Sequence, residues 1–385
     1  MAKKIFTTIT AISFNVDGSQ VALCSGSKEI FIYDTNGSRD CSKWVKVHTL
    51  KEHTQKAAVI DWNHGIKCSN HASSSEESTC ADPPCRPGLI LTGSYDRSIF
   101  VWKYNEDHNK WLPEFVNMDE KLAILDLKWN AQGTKFVVGT SSKRIFIGYF
   151  SVKNNWWTTS EIKKQHKSSV LSVEFSPNGK VIASASLDGT CKILSAVVAD
   201  VDTEESKLDF GDVEDFGECL VEYKCEFWLN HVTWSPSGSA ICYCSHDGTL
   251  NFCDLTGGQK GKISKYTHKG LPFSKGIFVD DETFLAVGYD KAPFLFKKDG
   301  DHWTQSKVLD PGYESFREYS VERGSKNYFK LKEIESDIKI PEKLKLKERD
   351  TMHENTIQQL LPFNGGSSKE MCTCDDNGNI FFWKV

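Results

Sequence analysis

Nowhere in the 385 residues do apolar side chains run uninterrupted for the about 18 positions a membrane-crossing helix needs. The opening MAKKIF also lacks the apolar core and small-residue cleavage pattern of a secretory leader, so neither secretion nor membrane insertion is expected. Charge of one sign is scarce too. A formal net charge of -5 supplies no field that would draw nucleic acid to the whole surface, and none is expected as a partner. The 13 cysteines are an odd number, and Cys24, Cys242, Cys244, Cys372 and Cys374 fall inside apolar alternating runs instead of at loop spacings. They are expected to be reduced core thiols in a cytoplasmic chain. Catalytic motifs are missing as well: no Gly-rich phosphate loop, nucleophile elbow or His-Glu-x-x-His helix is present, so an enzyme is not expected.

What the chain does have is strand-forming aromatics and a repeat. VLSVEFSPNGKVIASASLDGTCKIL (170-194) and HVTWSPSGSAICYCSHDGTLNFCD (231-254) each give a short alternating strand, a Ser-Pro-x-Gly turn, a second strand, an Asp-Gly-Thr turn and a third strand. The same phrase, more worn, recurs at 9-34, at AVIDWN with 88-103, at 124-150, at 276-297 and at 357-385, for seven copies in all. The linkers offer a fourth strand at 43-50, 110-116, 155-163, 219-227, 262-267 and 302-309. The seventh copy ends the chain, and KKIFTT (3-8) is free to complete it, so the fold expected is all-β: one seven-bladed propeller with the N-terminal strand closing the last blade.

A second signature supports a WD-repeat propeller, a His before the first strand and an Asp before the third. His166 and Asp188 lie 22 positions apart, as do His268 with Asp290 and His353 with Asp375. His53 with Asp96 fits once an insertion is removed, and Asp247 keeps the Asp without the His. A polar set recurring once per blade is a buried hydrogen-bond network and not a repeated triad, so these residues carry no catalytic assignment.

Function on such a scaffold lives in what departs from it. An insertion in blade two (64-88) holds His64, Cys68, His71, Cys80 and Cys85, but only the last two approach zinc-ligand spacing, so no metal or other cofactor is expected. The segment 199-218, read as lying between blades four and five, carries nine acidic residues against one Lys. Its interleaved apolar residues make Asp209, Phe210, Asp212 and Phe216 a partner-binding candidate. The largest, 310-350 between blades six and seven, places Tyr313, Phe316, Tyr319 and Val321 near one helical face, a short projecting helix that a partner would cover.

Beyond the repeat, WVKVHTLKEH (44-53), NNWWTTSEIKK (154-164), CSHDGT (244-249) and AVGYDKAPFLF (286-296, with Pro293 read as inside a third strand) resemble, in the same order, the propeller subunit of the actin-related protein 2/3 complex. The resemblance implies a non-catalytic scaffold of the actin cytoskeleton that packs on the complex's other subunits, including an actin-related protein. It implies further that the subunit helps bind WASP-type activators and reaches the mother actin filament with the projecting arm during branch nucleation. The competing reading is a peptide-binding adaptor of another complex, such as a ubiquitin ligase substrate receptor.

Overall fold

The architecture is built from short runs that alternate between buried and half-buried side chains, punctuated by turns that glycine enters at little cost. In blade four, Val170–Phe175, Val181–Ser186 and Thr190–Ser195 are joined by turns in which Gly179 and Gly189 take φ of 72° and 77°, conformations a Cβ would strain. The computed structural model describes residues 8-63, 88-202, 215-256, 260-313, 351-363 and 370-385.

Seven antiparallel sheets stand in a ring. Six have four strands in sequence order, and the seventh shows three among the described residues, Ile357–Pro362, Glu370–Asp375 and Ile380–Lys384. The expected fourth strands form as Val45–Leu50, Lys110–Val116, Trp156–Ile162, Cys219–Lys224, Ile263–Thr267 and His302–Val308. Of the segment 3-8 assigned to closing blade seven, only Thr8 lies within the described residues.

Second strands are buried on both faces. All six positions of Lys135–Thr140 and of Val181–Ser186 are covered, because each sheet is sandwiched between its neighbours. The apolar core is accordingly divided among the junctions between blades. Val181, Ile193 and Tyr223 of blade four pack with Val232, Trp234 and Tyr243 of blade five. Ile12, Phe14 and Leu23 of blade one pack with Phe363, Cys372 and Ile380 of blade seven. Among the described residues that last cluster joins the two ends of the ring, reinforced by the Phe14–Phe363 ring pair at 5.2 Å and the Arg39–Glu370 ion pair at 2.5 Å. Among the described residues the junction of blades six and seven has the smallest cluster of buried apolar side chains, Leu285, Leu295 and Met371.

Two expectations need correction. The acidic segment 199-218 does not separate blades four and five: it falls inside blade four, because Cys219–Lys224, which follows it, pairs with Thr190–Ser195 as that blade's outer strand. Pro293 precedes the third strand of blade six, Phe294–Asp299, instead of standing within it. A residue without an amide hydrogen fits there, and its carbonyl still accepts from the Leu309 amide at 2.9 Å.

Candidate functional site

Chemistry-bearing side chains collect in three places: the per-blade His and Asp sets, the central channel, and the roots of the insertions.

In blade seven the bond directions follow from the donors. The Trp383 indole can only donate, so Thr373 Oγ1 accepts from it at 2.6 Å and passes its own hydrogen to His353 Nε2 at 2.7 Å. That leaves His353 Nδ1 protonated, donating to Asp375 Oδ2 at 3.1 Å. Blade two repeats the relay with Trp102 to Thr92 at 2.9 Å and Thr92 to His53 Nε2 at 2.9 Å. There His53 Nδ1 faces Ser98 Oγ at 2.9 Å and Asp96 Oδ2 at 3.4 Å. Burial keeps the His53 imidazole below its ordinary pKa, with Asp96 opposing. Burial alone would raise Asp96, but donors from Ser98 and Thr54 outweigh it and hold the carboxyl well below its usual range. Asp188 is held low in the same way, by His166, Thr190 and the Lys167 amide. In blade four, His166 joins Ser184 at 2.8 Å and Asp188 at 3.3 Å. Every ring nitrogen of these three histidines has a partner inside its own blade.

The other blades vary the scheme. His268 of blade six donates from Nε2 to Asp290 at 2.8 Å, and its Nδ1 has no partner among the described residues because Ala286 occupies the hydroxyl position. Gly270 is required beside that pair, since a Cβ there would stand 2.1 Å from Asp290 Oδ2. Asp375 differs from the other aspartates in place: it ends the second strand of its blade, and Asn377 holds the turn position. Blade three carries a pair that sequence reading missed. Glu120 stands where the histidine belongs and Ser142 where the aspartate belongs, donor and acceptor exchanged, with Ser142 Oγ donating to Glu120 Oε2 at 2.7 Å. Their separation of 22 was the available signal.

The channel, a cavity of about 300 Å³, is lined by the innermost strands of all the blades. Here a side chain crosses every junction to a backbone group of the next blade. Ser13 Oγ accepts the Trp62 amide at 3.0 Å, Asp61 that of Trp129 at 2.7 Å, Asp126 that of Val173 at 2.9 Å and Glu174 that of Trp234 at 3.0 Å. His231 Nε2 donates to Gly276 O at 3.0 Å, Ser274 Oγ to Ile357 O at 2.6 Å and Gln359 Nε2 to Thr10 O at 3.0 Å, which completes the circuit. Burial pushes the Glu174 carboxyl up to about 7 against donors from Thr233 and Trp234 and the nearby Lys128, while Lys128 is raised chiefly by Asp61, 3.4 Å away. Burial and Lys275 keep His231 far below its ordinary value, consistent with a neutral ring that accepts from Ser172 Oγ at 2.8 Å. Seven side chains of the innermost strands thus join neighbouring blades.

At the insertions, Asp310, fully buried, accepts the Gly312 amide at 2.8 Å on one oxygen and the Met352 amide at 2.8 Å on the other, tying together the two ends of the 310-350 segment. Tyr313 is half-buried against Phe294, ring centroids 5.0 Å apart, so it belongs to the packing of blade six instead of the free face expected of it. Phe316, Tyr319 and Val321 lie outside the described residues, as do Asp209, Phe210 and Asp212 and the histidines and cysteines of 64-87. Phe216 is described and exposed. The root of the acidic segment is anchored on blade three, where Lys135, fully buried, meets Asp202 at 2.5 Å and the Ala196 carbonyl at 2.9 Å. No helix among the described residues is long and apolar enough to cross a membrane.

The family described as "WD domain, G-beta repeat" matches residues 158–195 and 217–254, the two best-preserved copies of the repeat. Across nearly the whole chain the protein is similar to subunit 1B-A of the actin-related protein 2/3 complex from Xenopus laevis, 30% identical over 98% of this chain and 94% of that one. Subunit 1B from Arabidopsis thaliana is 29% identical over 98% and 94%, and subunit 1A from the same plant 31% identical over 82% and 74%. With that coverage, on a ring of seven WD-type sheets, the chain belongs to the subunit 1 family of the actin-related protein 2/3 complex.

Proposed function

We propose that the chain serves as a non-catalytic scaffold within an actin-related protein 2/3 complex in the cytoplasm, supporting the nucleation of branched actin filaments. The observation that carries this reading is coverage: two of the relatives named as subunits of that complex are spanned to 94% of their length by this chain, and a third to 74%. Geometry supports it, because the His and Asp sets of blades two, four and seven are consumed by hydrogen bonds within the blade and the channel groups by bonds between blades. What such a disc offers other proteins is its surface and the segments it holds out.

Two segments take named roles. The 310-350 arm, fixed at its base by Asp310, presents Phe316, Tyr319 and Val321 to the mother filament. The acidic segment, anchored by Lys135, presents Asp209, Phe210, Asp212 and Phe216 to a neighbouring subunit or a WASP-type activator. The test is a complex reconstituted with Phe316→Ala and Tyr319→Ala together: assembly is expected to be intact and branch formation severely reduced. Unaltered branching defeats the filament role of the arm.

A further inference from the structure

Blade five has lost its polar network. Counting back 22 positions from Asp247 reaches Cys225 where the histidine would be, Tyr243 stands at the hydroxyl position, and Cys253 stands where blade two has Trp102. The Tyr243 hydroxyl meets Cys225 Sγ at 3.7 Å, and Tyr223 and Tyr243 pack ring against ring at 5.8 Å, so the site is filled by sulfur and aromatic surface. Asp247 is left outside. Its carboxylate accepts the Thr249 amide at 2.9 Å, is exposed, and forms no ion pair among the described residues.

Around it lies uncovered aromatic surface. Trp228 packs on His246 with ring planes tilted by 35° and centroids 4.4 Å apart, and His246 meets Tyr289 of blade six nearly edge-on at 6.0 Å. Phe227 and Trp228 are 49% and 45% exposed, and Glu226 beside them is exposed too. Large flat rings in water next to carboxylates without a counter-ion are the elements that hold a guanidinium or ammonium group: the rings take its stem and face, the carboxylates its charge. Lys265 lies near enough to act on Cys225 together with Asp247, yet it forms no ion pair with Asp247 or Glu226 among the described residues, and Lys291, two residues beyond Tyr289, donates its Nζ to the Glu354 carbonyl at 2.7 Å.

We propose that this face of blades five and six docks a segment of a partner protein presenting an arginine side chain, its guanidinium against Asp247 and Glu226 and its stem across Trp228. The residues named here belong to neither the 199-218 nor the 310-350 segment, so substitutions in them and in the arm are separable. The experiment is fluorescence anisotropy with the full chain and a labelled peptide of alternating arginine and leucine, against one with glutamate in place of arginine. The arginine peptide is expected to bind saturably and the glutamate peptide not. Asp247→Asn, Glu226→Gln and Trp228→Ala, all at exposed positions, are each expected to weaken binding about tenfold, about 1.4 kcal/mol. No binding by the unaltered chain, equal affinity for the glutamate peptide, or unchanged affinity in Asp247→Asn and Trp228→Ala overturns the proposal. So does binding that appears only after the chain's own basic run 343-349 is deleted, which would assign the face to that run.

Discussion

Blade seven and blade five hold the same fold by opposite means. Blade seven threads a polar relay, Trp383 to Thr373 to His353 to Asp375, through a fully buried site. Blade five fills the equivalent positions with Cys253, Tyr243 and Cys225 and pairs the two tyrosines across it. A relay specifies geometry but punishes any missing member, since each orphaned donor or acceptor costs its full desolvation. An aromatic and sulfur filling is held by contact area and tolerates the loss of a polar atom. The difference also shows outside: the aspartate of blade seven is turned inward on its histidine, and that of blade five, without a histidine, faces solvent among aromatic rings.

The largest effect should come from breaking the relay. His353→Ala empties a fully buried site, orphans the Thr373 hydroxyl and takes one donor from Asp375, which keeps Asn379 and the Glu354 amide, and should cost about 3–5 kcal/mol in urea unfolding. A shift under about 1 kcal/mol would mean that the relay does not hold blade seven. Next comes the seam joining blade four to blade five. Glu174 has a folded pKa of about 7, raised by burial above its ordinary 4.5. For a raised carboxyl the folded state binds the proton more tightly, so its stabilising contribution is full below pH 4.5 and is lost as pH rises through 7. The melting temperature should therefore fall between pH 5 and pH 8, an effect of up to about 3 kcal/mol. Glu174→Gln, which still accepts the Trp234 amide, should flatten that slope and be the more stable chain at pH 8; an unchanged slope would contradict the assignment. The smallest effect belongs to blade five itself. Tyr243→Phe removes a hydroxyl whose partner is a thiol at 3.7 Å, and should cost less than about 1 kcal/mol. A loss as large as that of His353→Ala would erase the contrast between the two blades.

Much of this was legible in the sequence because it is local. Strand, turn and strand follow within a dozen residues, and the six linker strands were readable as aromatic alternating runs such as KWLPEFV. The 22-residue intervals located the relays, yet the Glu120 and Ser142 pair escaped because the search was for residue types and not for the hydrogen bond that either order can make. The channel circuit could not be read at all. Gln359 and Thr10 are 349 positions apart, and no periodicity connects a glutamine at one end of a chain to a carbonyl at the other. The placing of 199-218 fails for a related reason: the strand after it is readable at 219-227, but only its pairing with Thr190–Ser195 shows that the segment before it lies inside blade four. The exposed rings of blade five are not legible because residues 225-227 read as the end of the linker strand 219-227, and exposure depends on what the neighbouring blades leave uncovered.

The account rests on the disc being a resident part of an actin-related protein complex. Affinity purification of the tagged full chain from cell extract, followed by mass spectrometry, tests it most directly. Both actin-related proteins should co-elute with it in stoichiometric amounts and remain through a salt wash; a folded chain that elutes without them would contradict the account.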